Sequence, residues 1–413
     1  MFRIDHPSRA AALPAPDPIA SQGFFTKGDP GSSVPATRVT QDWLNAVQEE
    51  LATAILDNGG VMDKGNRAGL SQAISRVAGG ASNYLVNPEG LIEQRDNTGN
   101  VGTTESFGTV DRWLARTGTG DTLTLKGGAV TPTFLSGWPS RPRGVVRLDK
   151  TVDATSGTQP RLVQRVESAL TLADADVVVA FDAFKFSGAD LPIVSVELVQ
   201  DFGTGGSPSA DVTTALAAMA NTTIDGTARR FSYRGHLPSV GGKTFGTGGR
   251  DHVKVRVNFG ANTGVFAVYL SAFVLAKGNQ DPGYLPRDLT TERHLCRRYY
   301  ETSIDGPSWA NFNHDTDPAL WDTGFSGAGA VATLGRRFWT HKYRSPTVVW
   351  RAKDGTANNI TEGASTLHPV TVGAGGDAPS PDHTGYPTIT TPPASGTLRL
   401  FRAYYSADAE IVD

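Results

Sequence analysis

The 413-residue chain has little that could hold it together covalently or anchor it in a membrane. Its one cysteine, Cys296, excludes an intrachain disulfide, and we expect it to be a buried structural thiol. No apolar run reaches membrane-spanning length, and the N-terminus lacks a signal-peptide core. We therefore expect a protein made in the cytoplasm, with no membrane insertion, that is stabilised by packing or assembly.

Charge of either sign is also scarce. The sequence has 38 Lys plus Arg against 41 Asp plus Glu, a net charge of −3, so no nucleic-acid partner is predicted. Glycine (47) and proline (25) are abundant instead, which is typical of turn-rich, mainly β proteins. No internal repeat of roughly 20 to 50 residues is visible, which argues against a parallel β-helix.

Catalytic and metal-binding motifs are missing or incomplete. Residues 324–328 (GFSGA) lack the last glycine and the following helix of a serine nucleophile elbow. The eight histidines show no metal-ligand spacing, and no helix follows the glycine-rich residues 373–377. Asp182, Glu197 and Glu301 lie in predicted strands, where we expect them to face solvent. We predict no enzyme, no metal site and no cofactor.

The strongest local pattern lies in residues 40–60. Thr40 is a good helix N-cap, and Gly59-Gly60 is a helix stop. Apolar residues at helical spacing form one stripe: Leu44, Val47, Leu51, Ala54 and Ile55. A second, shorter stripe consists of Leu70, Ile74 and Val77. Two such helices are too small to be stable alone, so they pack on each other and on neighbouring copies or dock on a partner.

The residues before this helix are proline-rich and irregular, as in an arm that becomes ordered on a partner. Six short strings stand out in and before the helix: FRIDHP (2–7), GFF (23–25), GDP (28–30), PAT (35–37), VT (39–40) and DWLNAVQEEL (42–51). With these strings in this order, residues 2–77 resemble the N-terminal attachment segment of tail-fibre proteins from tailed bacteriophages and prophages. The resemblance implies virion attachment through Phe24, Phe25, Trp43, Leu44, Val47 and Leu51.

Residues 81–277 show strand patterns separated by turns. In residues 253–259, Val253, Val255, Val257 and Phe259 face one way while Lys254, Arg256 and Asn258 face the other. Further strands are predicted at 161–167, 177–186, 193–199 and 265–275, the last buried on both faces. These strands favour a two-sheet sandwich. The strings YLVNPEG (84–90), EQR (93–95) and VDRW (110–113) resemble the opening of a jelly-roll, carbohydrate-binding-like module common in phage fibres.

Residues 278–413 are predicted to form a third unit that follows a linker at 278–286. The run at 292–301 (ERHLCRRYYE) resembles the Cys-x-Arg-Tyr-Tyr strand of phage-fibre tip domains. Residues 336–340, 345–350 and 398–411 are similar to later strands of that domain. Aromatic residues crowd this unit. The receptor-contact candidates, in a loop-like stretch, are Trp309, Asn311, Phe312, His314 and Trp321.

Together the sequence predicts a mainly β protein with three parts. Residues 1–80 are the arm and two-helix attachment segment, 81–277 a jelly-roll β-sandwich, and 278–413 a C-terminal β-sandwich tip that recognises the receptor. The resemblance implies a homotrimeric tail fibre in the virion, with other phage tail or baseplate proteins and a host glycan, pilus or surface protein as partners. Alternatives are a tail-associated polysaccharide depolymerase and a purely structural baseplate or tail-tip protein.

Overall fold

The computed structural model divides into two compact units, residues 1–82 with 280–285 and residues 83–279 with 286–413. It describes residues 3–16, 18, 23–57, 62–65, 67–74, 83–95, 98–135, 137–261, 263–303, 320–325, 337–352, 356–362, 366–372, 387–389 and 398–411. The sandwich and tip predicted as separate domains both fall in the second unit. The predicted mainly β class is confirmed.

The first unit is built around one long helix, α1 (Gln41–Asp57). Thr40 caps it as predicted, since its Oγ1 accepts a hydrogen bond from the Trp43 amide at 3.3 Å. A 3₁₀ turn (Pro30–Ser32) precedes it, and helical residues 69–74, labelled α2, follow. Of the predicted α1 stripe, only Ile55 is fully buried.

The second unit begins with an antiparallel sandwich of two sheets. The first sheet has the strand order β1-β4-β5-β14-β7-β12-β10, and the second has β11-β8-β13-β6-β3-β2 with β9 beside β8. The strands are β1 (Asn100–Val101), β2 (Ser106–Phe107), β3 (Trp113–Arg116), β4 (Thr122–Lys126), β5 (Val146–Val152), β6 (Arg161–Glu167), β7 (Ala175–Gly188), β8 (Leu191–Asp201), β9 (Val212–Ala215), β10 (Ala217–Ala218), β11 (Thr223–Ile224), β12 (Arg229–Leu237), β13 (His252–Phe259) and β14 (Phe266–Lys277). This confirms the predicted jelly-roll sandwich.

Strand alternation fills the space between the two sheets. Val253, Val255, Val257 and Phe259 all lie in the core, as predicted. Every residue of β14 except Lys277 is buried, which agrees with a strand covered on both faces. At such depth each large apolar side chain contributes on the order of 2 kcal/mol. The predicted strands at 253–259 and 265–275 therefore contribute to the core of the sandwich.

The rest of the second unit is a third sheet, preceded by a helix. Its described strands are β15 (Tyr300–Thr302), β16 (Leu320–Phe325), β17 (Thr347–Arg351), β18 (Asn359–Glu362), β19 (Thr366–Val372), β20 (Pro387–Ile389) and β21 (Leu398–Asp408). Strand β21 pairs with β15, β16, β17 and β18. The preceding helix is α4 (Leu289–Arg297), and one more short helix, α3 (Pro132–Leu135), lies between β4 and β5.

Two predictions fail in this region. Residues 292–297 form the end of α4 rather than a strand, because Asp288 accepts hydrogen bonds from the amides of Thr290 and Thr291 and starts a helix. Its buried side carries Cys296 together with Glu292 and Arg297, and burial raises the pKa of that thiol well above its usual value. Residues 337–340 form no strand beyond an isolated bridge residue. The Cys-x-Arg-Tyr-Tyr run thus straddles a helix and β15.

A buried ion network joins the sandwich to the end of the chain. Glu410 is fully buried and accepts hydrogen bonds from Arg112 and, at 2.9 Å, from Arg95 Nη2. Arg95 also pairs with Asp408 at 3.2 Å, and the Arg165 guanidinium donates to the Ile411 carbonyl at 2.6 Å. Because each charge is paired or hydrogen-bonded, the burial is tolerated. The network fixes the end of β21 against the sandwich.

Candidate functional site

Most predicted receptor-contact residues lie outside the described part of the chain. Trp309, Asn311, Phe312 and His314 belong to residues 304–319, of which nothing is described. Trp321 is placed in β16, where its backbone is paired with Arg402 of β21. Its side chain is likewise outside the description, so this set stays a prediction.

The predicted attachment residues are described, and most are open to solvent. The exposed fraction is 99% for Phe24, 55% for Leu44, 48% for Trp43 and 38% for Val47. Phe25 is 54% exposed and meets the Trp43 ring edge-on at a centroid distance of 5.4 Å. Leu51 is half-buried. We name Phe24, Phe25, Trp43, Leu44 and Val47 the N-terminal apolar face.

The second unit carries a different feature on the outer face of its first sheet. Five aromatic residues gather there, and we call this cluster the aromatic face: Phe134, Trp138, Phe184, Phe186 and Tyr269. Phe184 of β7 is directly opposite Tyr269 of β14. Phe186 stacks on Tyr269 with centroids 5.2 Å apart and an interplanar angle of 10°.

Most of this cluster is covered, but one ring is not. Phe186 is 55% exposed, whereas Tyr269 is 8% and Trp138 is 4% exposed. The covered rings form a small core of their own beneath it. Phe186 is therefore a flat apolar surface held in place from below.

A polar group lies beside the Tyr269 ring that supports Phe186. Arg147 of β5 is directly opposite Tyr269, and its guanidinium lies 5.4 Å from the Tyr269 ring centroid. Arg147 Nε is 2.6 Å from an oxygen of Asp149, and the pair raises the pKa of Arg147. The second Asp149 oxygen is buried and makes no hydrogen bond among the described residues. Flat rings beside charged donors and acceptors are what an apolar sugar face with hydroxyls at its edge requires.

Local sequence explains how Phe186 comes to lie there. Odd-numbered residues of β7, such as Phe181, point into the core, so Phe184 and Phe186 point outward. The pairing register of β7 and β14 shifts between Ala267 and Val268. Gly188 ends β7 with φ +84°, and a Cβ there would lie 2.3 Å from the Val265 carbonyl oxygen. The register shift and the turn at Gly188 together fix where β7 ends, two residues after Phe186.

The strand carboxylates do not behave as expected. Asp182 and Glu301 are fully buried rather than solvent-facing, and Glu197 is half-buried. Asp182 accepts hydrogen bonds from the Ser140 amide at 2.8 Å, the Ser140 hydroxyl at 3.0 Å and Arg230 at 3.1 Å. Burial raises the pKa of Asp182. These bonds anchor the loop that carries Trp138.

Sequence reasoning missed the aromatic face because it concentrated on tryptophans in a loop. The signal was nonetheless available. Successive side chains of a strand point to opposite faces, so a strand through residues 177–186 puts Phe184 and Phe186 on the face opposite Phe181. The sequence could not reveal that Tyr269 of β14 lies beside these two phenylalanines, because Tyr269 is more than eighty residues away along the chain.

Among the described residues no group of three or more His, Cys, Asp or Glu side chains is placed to hold a metal ion. No helix found there is both long and apolar enough to cross a membrane.

Comparisons with known proteins return likenesses of structure alone. No protein-family model and no curated protein sequence matches the chain. A bacteriophage CBA120 tailspike protein 4 enzymatically active domain is similar over 48% of this chain and 21% of its own length, with 13% identity and a TM-score of 0.27. This chain thus spans about a fifth of that domain.

Two further solved structures are similar over a comparable share of the chain. A family 11 carbohydrate-binding module from Clostridium thermocellum, in complex with a β-1,3-1,4-mixed-linked tetrasaccharide, shares 11% identity over 44% of this chain and 96% of its own, with a TM-score of 0.26. A putative sugar-binding protein from Bacteroides thetaiotaomicron shares 13% identity over 48% and 100%, with a TM-score of 0.28. At such TM-scores these likenesses identify no function.

Proposed function

We propose that this chain is a glycan-binding protein and that the aromatic face of its sandwich is the binding site. The observation that carries the proposal is the exposed Phe186 ring, stacked on Tyr269 next to the Arg147–Asp149 ion pair. An exposed aromatic ring stacks on the apolar face of a sugar ring. The Arg147 side chain, which is 43% exposed, donates a hydrogen bond to a sugar hydroxyl.

Pre-organisation supports this role. Phe186 is supported by Tyr269, and Tyr269 by Phe134 at 5.5 Å. A ring already fixed in place loses little conformational freedom when it binds. The role we propose is binding, and the buried Asp182 carboxylate on this face has its oxygens engaged by Ser140 and Arg230.

The proposal extends to the biological setting. The chain acts as a tail-fibre, receptor-binding protein of a tailed bacteriophage, attached to the tail through its N-terminal apolar face. Two features support this: the resemblance of residues 2–77 to tail-fibre attachment segments, and the solvent exposure of Phe24, Trp43 and Leu44. Contiguous exposed apolar side chains mark surfaces that another protein covers.

Glycan binding is tested on the full chain with a panel of immobilised bacterial surface polysaccharides. Phe186→Ala is expected to weaken retention at least about tenfold, which corresponds to about 1.4 kcal/mol. Val194→Ala is the control, since Val194 is 54% exposed on the second sheet. Equal retention of wild type and Phe186→Ala on every retained polysaccharide would exclude the aromatic face.

A homotrimer is part of the proposed assembly. A chain without disulfides gains core by sharing it between copies. Sedimentation equilibrium of the full chain is expected to give three times the monomer mass at micromolar concentration. A monomer under those conditions would contradict it.

A further inference from the structure

The outer face of the second sheet carries three arginines that the proposed glycan site does not use. Arg116 of β3 is directly opposite Arg161 of β6, and Arg256 of β13 lies one row further along the same face. We call Arg116, Arg161 and Arg256 the arginine cluster. Like charges placed directly opposite each other across a sheet destabilise it.

Few acids balance this charge. Glu105 is 3.4 Å from Arg161 Nη1, 3.7 Å from Arg256 Nε and 3.2 Å from Arg165 Nη2, so it is shared by three guanidiniums. Within the described ranges, Arg116 forms no ion pair with any acid. The cluster therefore keeps an excess of positive charge.

A second acid stands beside the cluster without changing that balance. Glu197 of β8 is directly opposite Arg256. One of its oxygens already accepts a hydrogen bond from the Ser195 hydroxyl at 2.8 Å. Among the described residues, Glu197 and Glu105 together are two acids beside the three cluster arginines.

The side chains of the cluster are also largely withdrawn from water. Those of Arg161 and Arg256 are 17% and 19% exposed. The Nε atoms of all three cluster arginines are buried and form no hydrogen bond with any described residue. Burial, and then the charges of Arg116 and Arg256, lower the pKa of Arg161. Positive charge crowded in this way is unfavourable, and an anion with several oxygens bound at the partly exposed ends of Arg161 and Arg256 would neutralise it.

We propose that the arginine cluster binds the anionic oxygens of an acidic glycan, either a sugar carboxylate or a phosphate carried on the glycan. Guanidinium groups bind both anions through paired, parallel N–H donors, so their planar forks suit this role. The site lies on the outer face opposite the aromatic face and is separate from it. It rests on the proposed function only for the statement that the anion belongs to a glycan.

The test is thermal unfolding of the full chain with sodium glucuronate, sodium phosphate, glucose or sodium chloride at matched ionic strength. Glucuronate, phosphate or both should raise Tm by a few degrees in a saturable way, because a ligand bound only by the folded state stabilises it. A rise with glucuronate alone identifies a carboxylate site, and a rise with phosphate alone identifies a phosphate site.

Substitutions separate binding from general salt effects. Arg161→Gln and Arg116→Gln should each abolish the rise, while Arg234→Gln, at an exposed position on the first sheet, should retain it. Arg161→Gln should unfold at or above the wild-type temperature without anions, since it relieves like-charge repulsion. If Arg161→Gln does not fold, Arg116→Gln decides, because Arg116 has no acid partner to lose.

Three results would overturn the proposal: no rise with either anion, an equal rise with chloride or glucose, or an equal rise in Arg116→Gln. Phe186→Ala should keep the full anion response. The two proposals can therefore fail separately. A missing anion response would not affect polysaccharide retention by the aromatic face, and loss of that retention would not affect the anion response.

Discussion

The two units of this chain place apolar and charged side chains in opposite ways. In the first unit, Phe24, Trp43 and Leu44 are open to solvent on and beside a helix. In the second, Arg112 and Glu410 are almost wholly buried and paired with each other. A unit that exposes its apolar residues has little core of its own, whereas a unit that buries paired charges must already be well packed around them.

The difference separates two sources of stability. The second unit encloses a large apolar core between two sheets of the same chain. The first unit has few buried apolar side chains among its described residues, chiefly Ala52, Ile55 and Ala73. We therefore expect substitutions in the second unit to change folding and those in the first to change assembly.

The largest expected effect comes from breaking the buried ion network. Glu410→Ala leaves Arg112 and Arg95 without their shared carboxylate, so the free energy of unfolding should fall by about 3–5 kcal/mol. Denaturant unfolding of the full chain measures this. Asp190→Ala, which removes an exposed ion pair with Lys185, should cost less than about 1 kcal/mol. Equal effects of the two substitutions would mean that the network is dispensable.

The next effect concerns the N-terminal apolar face. Trp43→Ala should leave denaturant unfolding of the second unit unchanged but weaken attachment to tail particles by about 2–4 kcal/mol, because it removes a large apolar contact. Incorporation of the full-length variant into particles is the measurement. Leu170→Ala, which truncates a 61% exposed residue of the second unit, is the control and should be incorporated normally. Normal incorporation of Trp43→Ala would show that the exposed face is not the attachment surface.

The buried charge of Lys342 should make the stability of the second unit depend on pH. The Lys342 ammonium donates to the Arg297 carbonyl and to Glu301, and burial lowers the pKa of Lys342 from 10.5 to about 8. Between these values the folded chain has released a proton that the unfolded chain still holds. This group therefore makes stability rise with pH in that window, by at most about 1.4 kcal/mol per pH unit.

Unfolding at pH 8 and pH 9 tests this effect. The free energy of unfolding of the wild type should increase relative to that of Lys342→Met when the pH rises from 8 to 9. Lys277→Met, at an exposed strand end, should show no such shift. A difference independent of pH would mean that Lys342 keeps its proton in the folded state.

The sequence predicts the sandwich core well because strand alternation is a local property. Residues 253–259 alternate cleanly, and their valines all lie between the sheets. The run at 292–301 misleads because its two tyrosines favour a strand, while the helix is fixed by the cap at Asp288, four residues upstream.

The candidate sites were less predictable because they depend on register between distant strands. Alternation places Phe186 and Arg161 on outer faces, yet it does not reveal that Tyr269 lies under Phe186 or that Arg116 lies opposite Arg161. The long-range pairs that create both features join strands far apart in the chain. Local patterns carry no information about such pairs.

The most direct test compares one substitution from each unit in the same two assays. Full-length Trp43→Ala and Phe186→Ala are compared for affinity toward a polysaccharide retained by the wild type and for incorporation into tail particles. We predict that Trp43→Ala keeps wild-type affinity and fails to incorporate, while Phe186→Ala incorporates normally and binds at least about tenfold more weakly. Loss of both properties in either variant would contradict the division of roles between the two units.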